Sequence, residues 1–139
     1  MSADFGLIGL AVMGENLARN VESRGFTVAV FNRTTEKVDE FLKGPAKGGK
    51  FIGCHSLEEL VKAVKTPRKI MMMVKAGKPV DELIAQLVPL MSPGDVLIDG
   101  GNEHYTNTER RTKEVEAKGL LYVGTGVSGG RKGPSRGRA

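Results

Sequence analysis

The chain reads as an α/β protein built on a doubly wound, mostly parallel sheet. Three observations predict this. An apolar run, Phe5-Gly6-Leu7-Ile8, meets a glycine-punctuated turn, Gly9-Leu10-Ala11-Val12-Met13-Gly14, and then an amphipathic stretch from Glu15 to Arg24. Short apolar runs and helix-period stretches alternate from there to residue 123, the pattern of βαβ units joined by right-handed crossovers. After each apolar run the residues are small, polar and glycine-rich, and such sheets hold ligands at the carboxyl ends of their strands.

The elements follow in order. Phe5–Ile8 is the first strand, and the helix after the turn runs to Arg24, with Gly25 as its stop. Thr27–Phe31 alternates β-branched and apolar residues and reads as the second strand. A helix is expected from about Thr35 to Leu42, then a polar connection over Gly44–Gly49 and a short strand at Phe51–Gly53. Ser56 and Glu59 form a capping box that opens a helix to Val64. Lys69–Val74 is a buried strand, in which Met71, Met72 and Met73 are core residues. Pro79–Leu90 is a helix with Pro79 in its first turn. Asp95–Asp99 is a strand, and Thr106 with Glu109 reads as a second capping box, opening a helix to Lys118. Leu120–Val123 closes the series.

The first turn carries chemistry. Its first glycine permits a tight bend, small Ala11 lets a pyrophosphate approach the backbone, and Gly14 lets helix and strand pack closely. The helix N-terminus offers unpaired N–H groups to the anion. This is the phosphate corner of a Rossmann-type fold. At the end of the second strand, an NAD site places Asp or Glu on the ribose 2′-hydroxyl. Here stand Asn32-Arg33-Thr34. A guanidinium attracts a 2′-phosphate that a carboxylate would repel, so the expected cofactor is NADP. The other reading of Arg33 is a solvated loop cation.

Composition excludes other classes. The formal charge of +5 comes from the end of the chain: Arg131–Ala139 holds four cations and no acid, leaving 17 Lys/Arg against 16 Asp/Glu before it. Seven aromatic residues and a nearly neutral body do not make a nucleic-acid face. No apolar stretch nears membrane-spanning length, and the first strand begins too early for a signal peptide. The single cysteine, Cys54, suits a reducing compartment, so a cytoplasmic protein without membrane partners is expected. At 139 residues the chain suffices for one core and is short for a two-domain enzyme. His55 and His104 read as surface or capping residues, and no cluster has metal spacing. Arg110 and Arg111 read as a helix surface, with Glu109 and Glu114 as local partners.

GLAVMG, FNRT, VKAG, DGGN followed by EHYTNTERR, and GVSGG, in this order and spacing over residues 4 to 130, resemble the 6-phosphogluconate dehydrogenase family. The resemblance implies an NADP-dependent oxidoreductase of the pentose phosphate pathway, which oxidises 6-phosphogluconate and decarboxylates it to ribulose 5-phosphate. It places the pyrophosphate on Gly9, Leu10, Ala11, Val12, Met13 and Gly14, and the 2′-phosphate on Asn32, Arg33 and Thr34. Val74, Lys75 and Ala76 would line the nicotinamide half. Asn102 would touch cofactor and substrate, and Ser128, Gly129 and Gly130 the sugar acid. Each also has a plainer reading: Asn102 as a turn residue, Lys75 as a solvated cation, Ser128 as loop punctuation. Glu15 stands where the family commonly has Gln, and Asn107 where it commonly has Asp.

Two domain assignments follow: residues 1–130 as the NADP-binding Rossmann domain and 131–139 as a basic tail unlike the family. The family continues after GVSGG with EEGA, two variable residues and GPS. With suitable codons, Arg131–Ala139 read one base out of frame becomes Glu-Glu-Gly-Ala-Val-Ala-Gly-Pro-Ser, so a one-base shift immediately after Gly130 is expected. The family's catalytic lysine and glutamate, and the helical domain that makes its homodimer, would then lie beyond this chain, which would hold no catalytic residue and be a poor or inactive enzyme. A related β-hydroxyacid dehydrogenase and a non-catalytic NADPH-binding module remain as alternatives, with a nucleic-acid contact by the tail as a weaker one.

Overall fold

The structure, a computed structural model, describes residues 2–44, 46–74, 78–100 and 105–124, with side chains of 105–108 excepted. Six strands, β1 (Phe5–Ile8), β2 (Val28–Phe31), β3 (Phe51–Cys54), β4 (Lys69–Met72), β5 (Val96–Asp99) and β6 (Leu121–Gly124), alternate with five helices. These are α1 (Val12–Ser23), α2 (Glu36–Lys43), α3 (Leu57–Ala63), α4 (Lys78–Leu87) and α5 (Tyr105–Glu116). The strands form one sheet in the order β3-β2-β1-β4-β5-β6. All five pairings are parallel. The order reverses at β1, whose neighbours β2 and β4 lie on opposite sides, and that is where a doubly wound sheet opens its ligand crevice.

The two faces are packed differently. Leu7, Val28 and Val30 on one face meet Ala18 of α1 and Val38 and Phe41 of α2. On the other, Ile8, Ile70, Met72 and Leu97 meet Leu60 of α3, Leu83 and Leu87 of α4 and Val115 of α5. Each such side chain buried completely contributes about 1.5–3 kcal/mol relative to exposure. Met72 is fully buried and Met71 half-buried in β4, as expected of core methionines, while Met73, expected in the same strand, lies one residue past its end and is half-buried beside the α1/α2 core. Among the described residues, helices cover the first face over β1–β3. Register puts Met71, Ile98 and Val123 in one row with Leu7, and at its far end Leu121 and Val123 are 51% and 46% exposed.

Local chemistry explains the boundaries. Ser56 caps α3, its hydroxyl accepting the Glu59 N–H at 3.1 Å. The reciprocal bond from Glu59 goes one residue further back, to the His55 N–H at 2.7 Å. Helix α5 begins at Tyr105, so Thr106, expected to precede the helix as its cap, falls in the first turn. Helix α1 starts at Val12, three residues before the expected position. Its N-cap is Ala11, with no side-chain cap, so the sequence carries no marker of its start. The stretch expected as one helix to Leu90 ends as α4 at Leu87, then continues as a 3-10 turn over Val88–Leu90. At the amino ends of β4 and β5, buried Asp95 accepts from the Arg68 N–H (2.8 Å), the Arg68 guanidinium (2.9 Å) and the Ser92 N–H (2.8 Å).

Candidate functional site

The glycine turn sits at the carboxyl end of β1, between the ends of β2 and β4. Gly9 has φ +105°, and an added Cβ would press on the Met73 carbonyl. At Gly14 a Cβ would press on the Gly9 carbonyl, so α1 lies directly against the end of β1. Only hydrogen fits at either place. The Gly9 N–H donates to the Phe31 carbonyl at 2.9 Å and the Met73 N–H to the Ile8 carbonyl at 2.7 Å, stitching the three strand ends together. The first helical N–H groups, those of Val12, Met13 and Gly14, have no intrahelical acceptor, and the N-cap, Ala11, brings no capping side chain. They suit an anion.

Beside this turn lies a crevice of about 970 Å³. Gly9, Ala11, Asn32, Arg33 and Val74 line it together, so the structure gathers these sequence-selected residues around one space. Arg33 is exposed, and its guanidinium makes no ion pair among the described residues. Thr34 is exposed next to it. Val12 and Met13 point to solvent, 73% and 59% exposed. The Leu10 side chain is core, packed on the α1/α2 side, and its N–H is bonded to the Asn32 side-chain carbonyl oxygen at 2.8 Å. Lys75, Ala76, Asn102, Ser128, Gly129 and Gly130 lie outside the described residues, as do His104 and the tail 131–139.

One wall was missed by sequence reasoning. Ser56, Leu57 and Glu58 from the start of α3, and Pro79, Glu82, Leu83 and Gln86 from α4, also line the crevice. Both helices lie on the face opposite α1, and the spacing of Pro79, Glu82 and Gln86 along one side of α4 is the signal that could have found them.

Arg111 corrects the sequence expectation of a surface position: it is 1% exposed, and its Nε donates to Asp81 Oδ1 of α4 at 2.7 Å. One turn later Val115 is buried as well, so Arg111 lies on the inner face of α5. Arg110 is exposed and bonds Glu114 at 3.4 Å as expected, and also Asp81 at 3.2 Å. The hydrogen bond from Arg111 is the main cause that holds the Asp81 carboxyl below its ordinary value. At the end of β5, the Tyr122 hydroxyl donates to buried Asp99 at 2.8 Å. Exposed His55 pairs with Asp39 at 2.9 Å. Burial pushes the Cys54 thiol up to about 11, so it stays protonated and inert at neutral pH. No described group of His, Cys, Asp and Glu is placed to hold a metal ion.

A parallel sheet of this order, with a glycine turn and an open helix end at the centre, defines the dinucleotide-binding class of α/β domains. A family model described as the NAD binding domain of 6-phosphogluconate dehydrogenase matches residues 4–139. The chain belongs to that family.

Relatives agree. The decarboxylating 6-phosphogluconate dehydrogenase of Dictyostelium discoideum is 65% identical over 130 residues, 94% of this chain and 26% of that protein. Its counterpart in Saccharomyces cerevisiae is 57% identical over 133 residues, 96% of this chain and 27% of that protein. Among solved structures, 6-phosphogluconate dehydrogenase of Plasmodium falciparum, described with its cofactor NADP+ and its substrate 6-phosphogluconate, superimposes with a TM-score of 0.80 at 45% identity. That match covers 86% of this chain and 26% of the other. A 3-hydroxyisobutyrate dehydrogenase of Mycobacterium tuberculosis shares the fold, with a TM-score of 0.74 at 18% identity, over 89% of this chain and 40% of its own. The chain therefore spans about a quarter of the length of the curated relatives it matches.

Proposed function

We propose that these 139 residues are the coenzyme-binding part of an NADP-dependent 6-phosphogluconate dehydrogenase, the enzyme that oxidatively decarboxylates 6-phosphogluconate to ribulose 5-phosphate. The observation that carries this reading is the Arg33 guanidinium, exposed and without an ion pair among the described residues, at the crevice mouth beside the glycine turn. A free guanidinium there recognises a phosphate dianion and offers nothing particular to a ribose hydroxyl. Bound NADP would lay its pyrophosphate on the open first turn of α1 and its 2′-phosphate against Arg33 and Thr34, and would accept the hydride. Val74 is assigned to the nicotinamide half. Lys75, Ala76 and Asn102 are assigned there too by resemblance, and Ser128, Gly129 and Gly130 to the sugar acid.

Residues 1–130 form the binding domain in this reading, and 131–139 a basic tail. Within these 139 residues the reading assigns coenzyme binding and leaves the family's two proton-transfer roles unassigned. The cytosol is the compartment we assign, where a lone buried thiol such as Cys54 stays reduced.

Calorimetric titration of the chain with NADPH, and with NADH as control, tests the reading. NADPH should bind more tightly, and Arg33→Ala should weaken NADPH roughly 10-fold to 100-fold while leaving NADH unchanged, as expected for lost bonds to a charged group. Equal affinity for the two coenzymes in the unaltered chain would refute it.

A further inference from the structure

Asn32 is expected beside Arg33 as a phosphate ligand, but its side chain is already engaged. Its Oδ1 accepts the Leu10 N–H at 2.8 Å, across 22 positions of sequence. Its Nδ2 donates to the Thr34 carbonyl at 3.1 Å. The first bond ties the glycine turn to the end of β2, next to the Gly9 N–H bond to Phe31. The second folds the loop that carries Arg33 back on its own start. A primary amide suits both tasks, since it accepts and donates at once without charge. A carboxylate would accept from Leu10 but could not donate while ionised, and it would set a negative charge beside Arg33.

We infer that Asn32 is a positioning residue rather than a ligand of the 2′-phosphate. Its amide couples the pyrophosphate turn to the Arg33 loop and fixes the spacing of the two anion subsites. This rests on the NADP reading above. Asn32 then acts on every dinucleotide through the turn, whereas Arg33 acts on the 2′-phosphate alone.

The test titrates NADPH into the 139-residue chain and its Asn32→Ala, Arg33→Ala and doubly substituted forms, and follows hydrogen exchange at the Leu10 amide. Asn32→Ala should weaken NADPH about three- to tenfold, the scale of one hydrogen bond. Part of that loss should persist in the Arg33→Ala background, because the Leu10 bond serves the pyrophosphate turn. A loss that vanishes there would confine Asn32 to the 2′-phosphate end and would overturn the inference. The Leu10 amide should be protected in the parent and in Asn32→Asp, which keeps the acceptor, and should exchange faster in Asn32→Ala. Equal exchange in all three would also overturn it. Should Asn32→Ala not fold, the Asn32→Asp comparison decides: an unprotected Leu10 amide in that variant refutes the clamp. Failure of the unaltered chain to bind NADPH would sink the cofactor reading and leave the exchange measurement as the judge of the clamp.

Discussion

An alanine at position 9 faces two costs, and two other glycines separate them. Gly9 has φ +105°, and its added Cβ would lie 2.8 Å from the Met73 carbonyl carbon. Gly25 has φ +99° with nothing within 4 Å of an added Cβ. Gly14 is helical, but its Cβ would lie 3.0 Å from the Gly9 carbonyl carbon. Gly25→Ala therefore isolates backbone strain, about 1–2 kcal/mol. Gly14→Ala isolates the contact. Carbon atoms rest ~3.5–4.0 Å apart, and the Gly9 carbonyl oxygen lies closer to that Cβ than its carbon does, so helix and strand must separate by at least about 1 Å, an overpacking cost of about 1–3 kcal/mol or more. Gly9→Ala combines both, about 2–5 kcal/mol. That is a large share of the roughly 5–15 kcal/mol that holds a domain folded. Urea unfolding measures it, with each 1 kcal/mol moving the midpoint by roughly 0.3–1 M. Two results would refute the reasoning. One is a Gly14→Ala chain within about 0.5 kcal/mol of the parent, the ordinary range of harmless surface changes. The other is Gly25→Ala matching Gly9→Ala.

Neighbouring arginines should behave unlike each other: Arg111→Met should cost about 2–3 kcal/mol through lost buried hydrogen bonds, and Arg110→Ala less than about 0.5 kcal/mol at the surface. Equal costs in denaturation would contradict the burial of Arg111. Acid should leave stability untouched over a wide range. Asp81 is held down chiefly by its bond from Arg111. Burial would raise Asp95, but the Ser92 and Arg68 N–H groups and the Arg68 guanidinium outweigh it. Carboxyls depressed in the folded state give their full stabilisation above the unfolded aspartate value, ~3.9, and lose it as pH falls through the folded values. The urea midpoint should stay flat from neutral pH to about 4.5 and drop below about 4. A decline already under way at roughly pH 6 would count against these pairs.

The sheet and its crevice were legible because their signals are local. Strands as short as Val28–Phe31 still alternate, and a glycine turn directly between a strand and a helix marks an anion-binding corner of an α/β sheet. Helix starts were legible only where a side chain marks them. Ser56 marked α3, whereas Ala11 left α1 unmarked. Thr106 has the look of a cap because capping residues are also tolerated inside a first turn. The burial of Arg111 was hidden by its charge, since sequence alone does not reveal a partner 30 positions away. Its spacing of four from Val115 was the available clue. The α3 and α4 wall of the crevice was invisible for a related reason. Glu58, Glu82 and Gln86 look like ordinary polar helix positions until the fold turns them toward Gly9.

The sheet is not equally hard to open across its width. Among the described residues, β1 has hydrogen-bonded neighbours on both sides and helices on both faces, whereas β6 pairs with β5 alone and has Leu121 and Val123 half-exposed. Backbone amides at that edge should exchange through partial opening, and those of Gly6–Ile8 through unfolding of the whole domain. The Tyr122–Asp99 bond and the packing of Tyr122 and Val115 hold the edge on the α5 side. Any surface that settles on Leu121 and Val123 binds the closed form in preference to the open one. It would slow exchange in β5 and β6 and leave β1 as it was, a gradient of local stability across one sheet face.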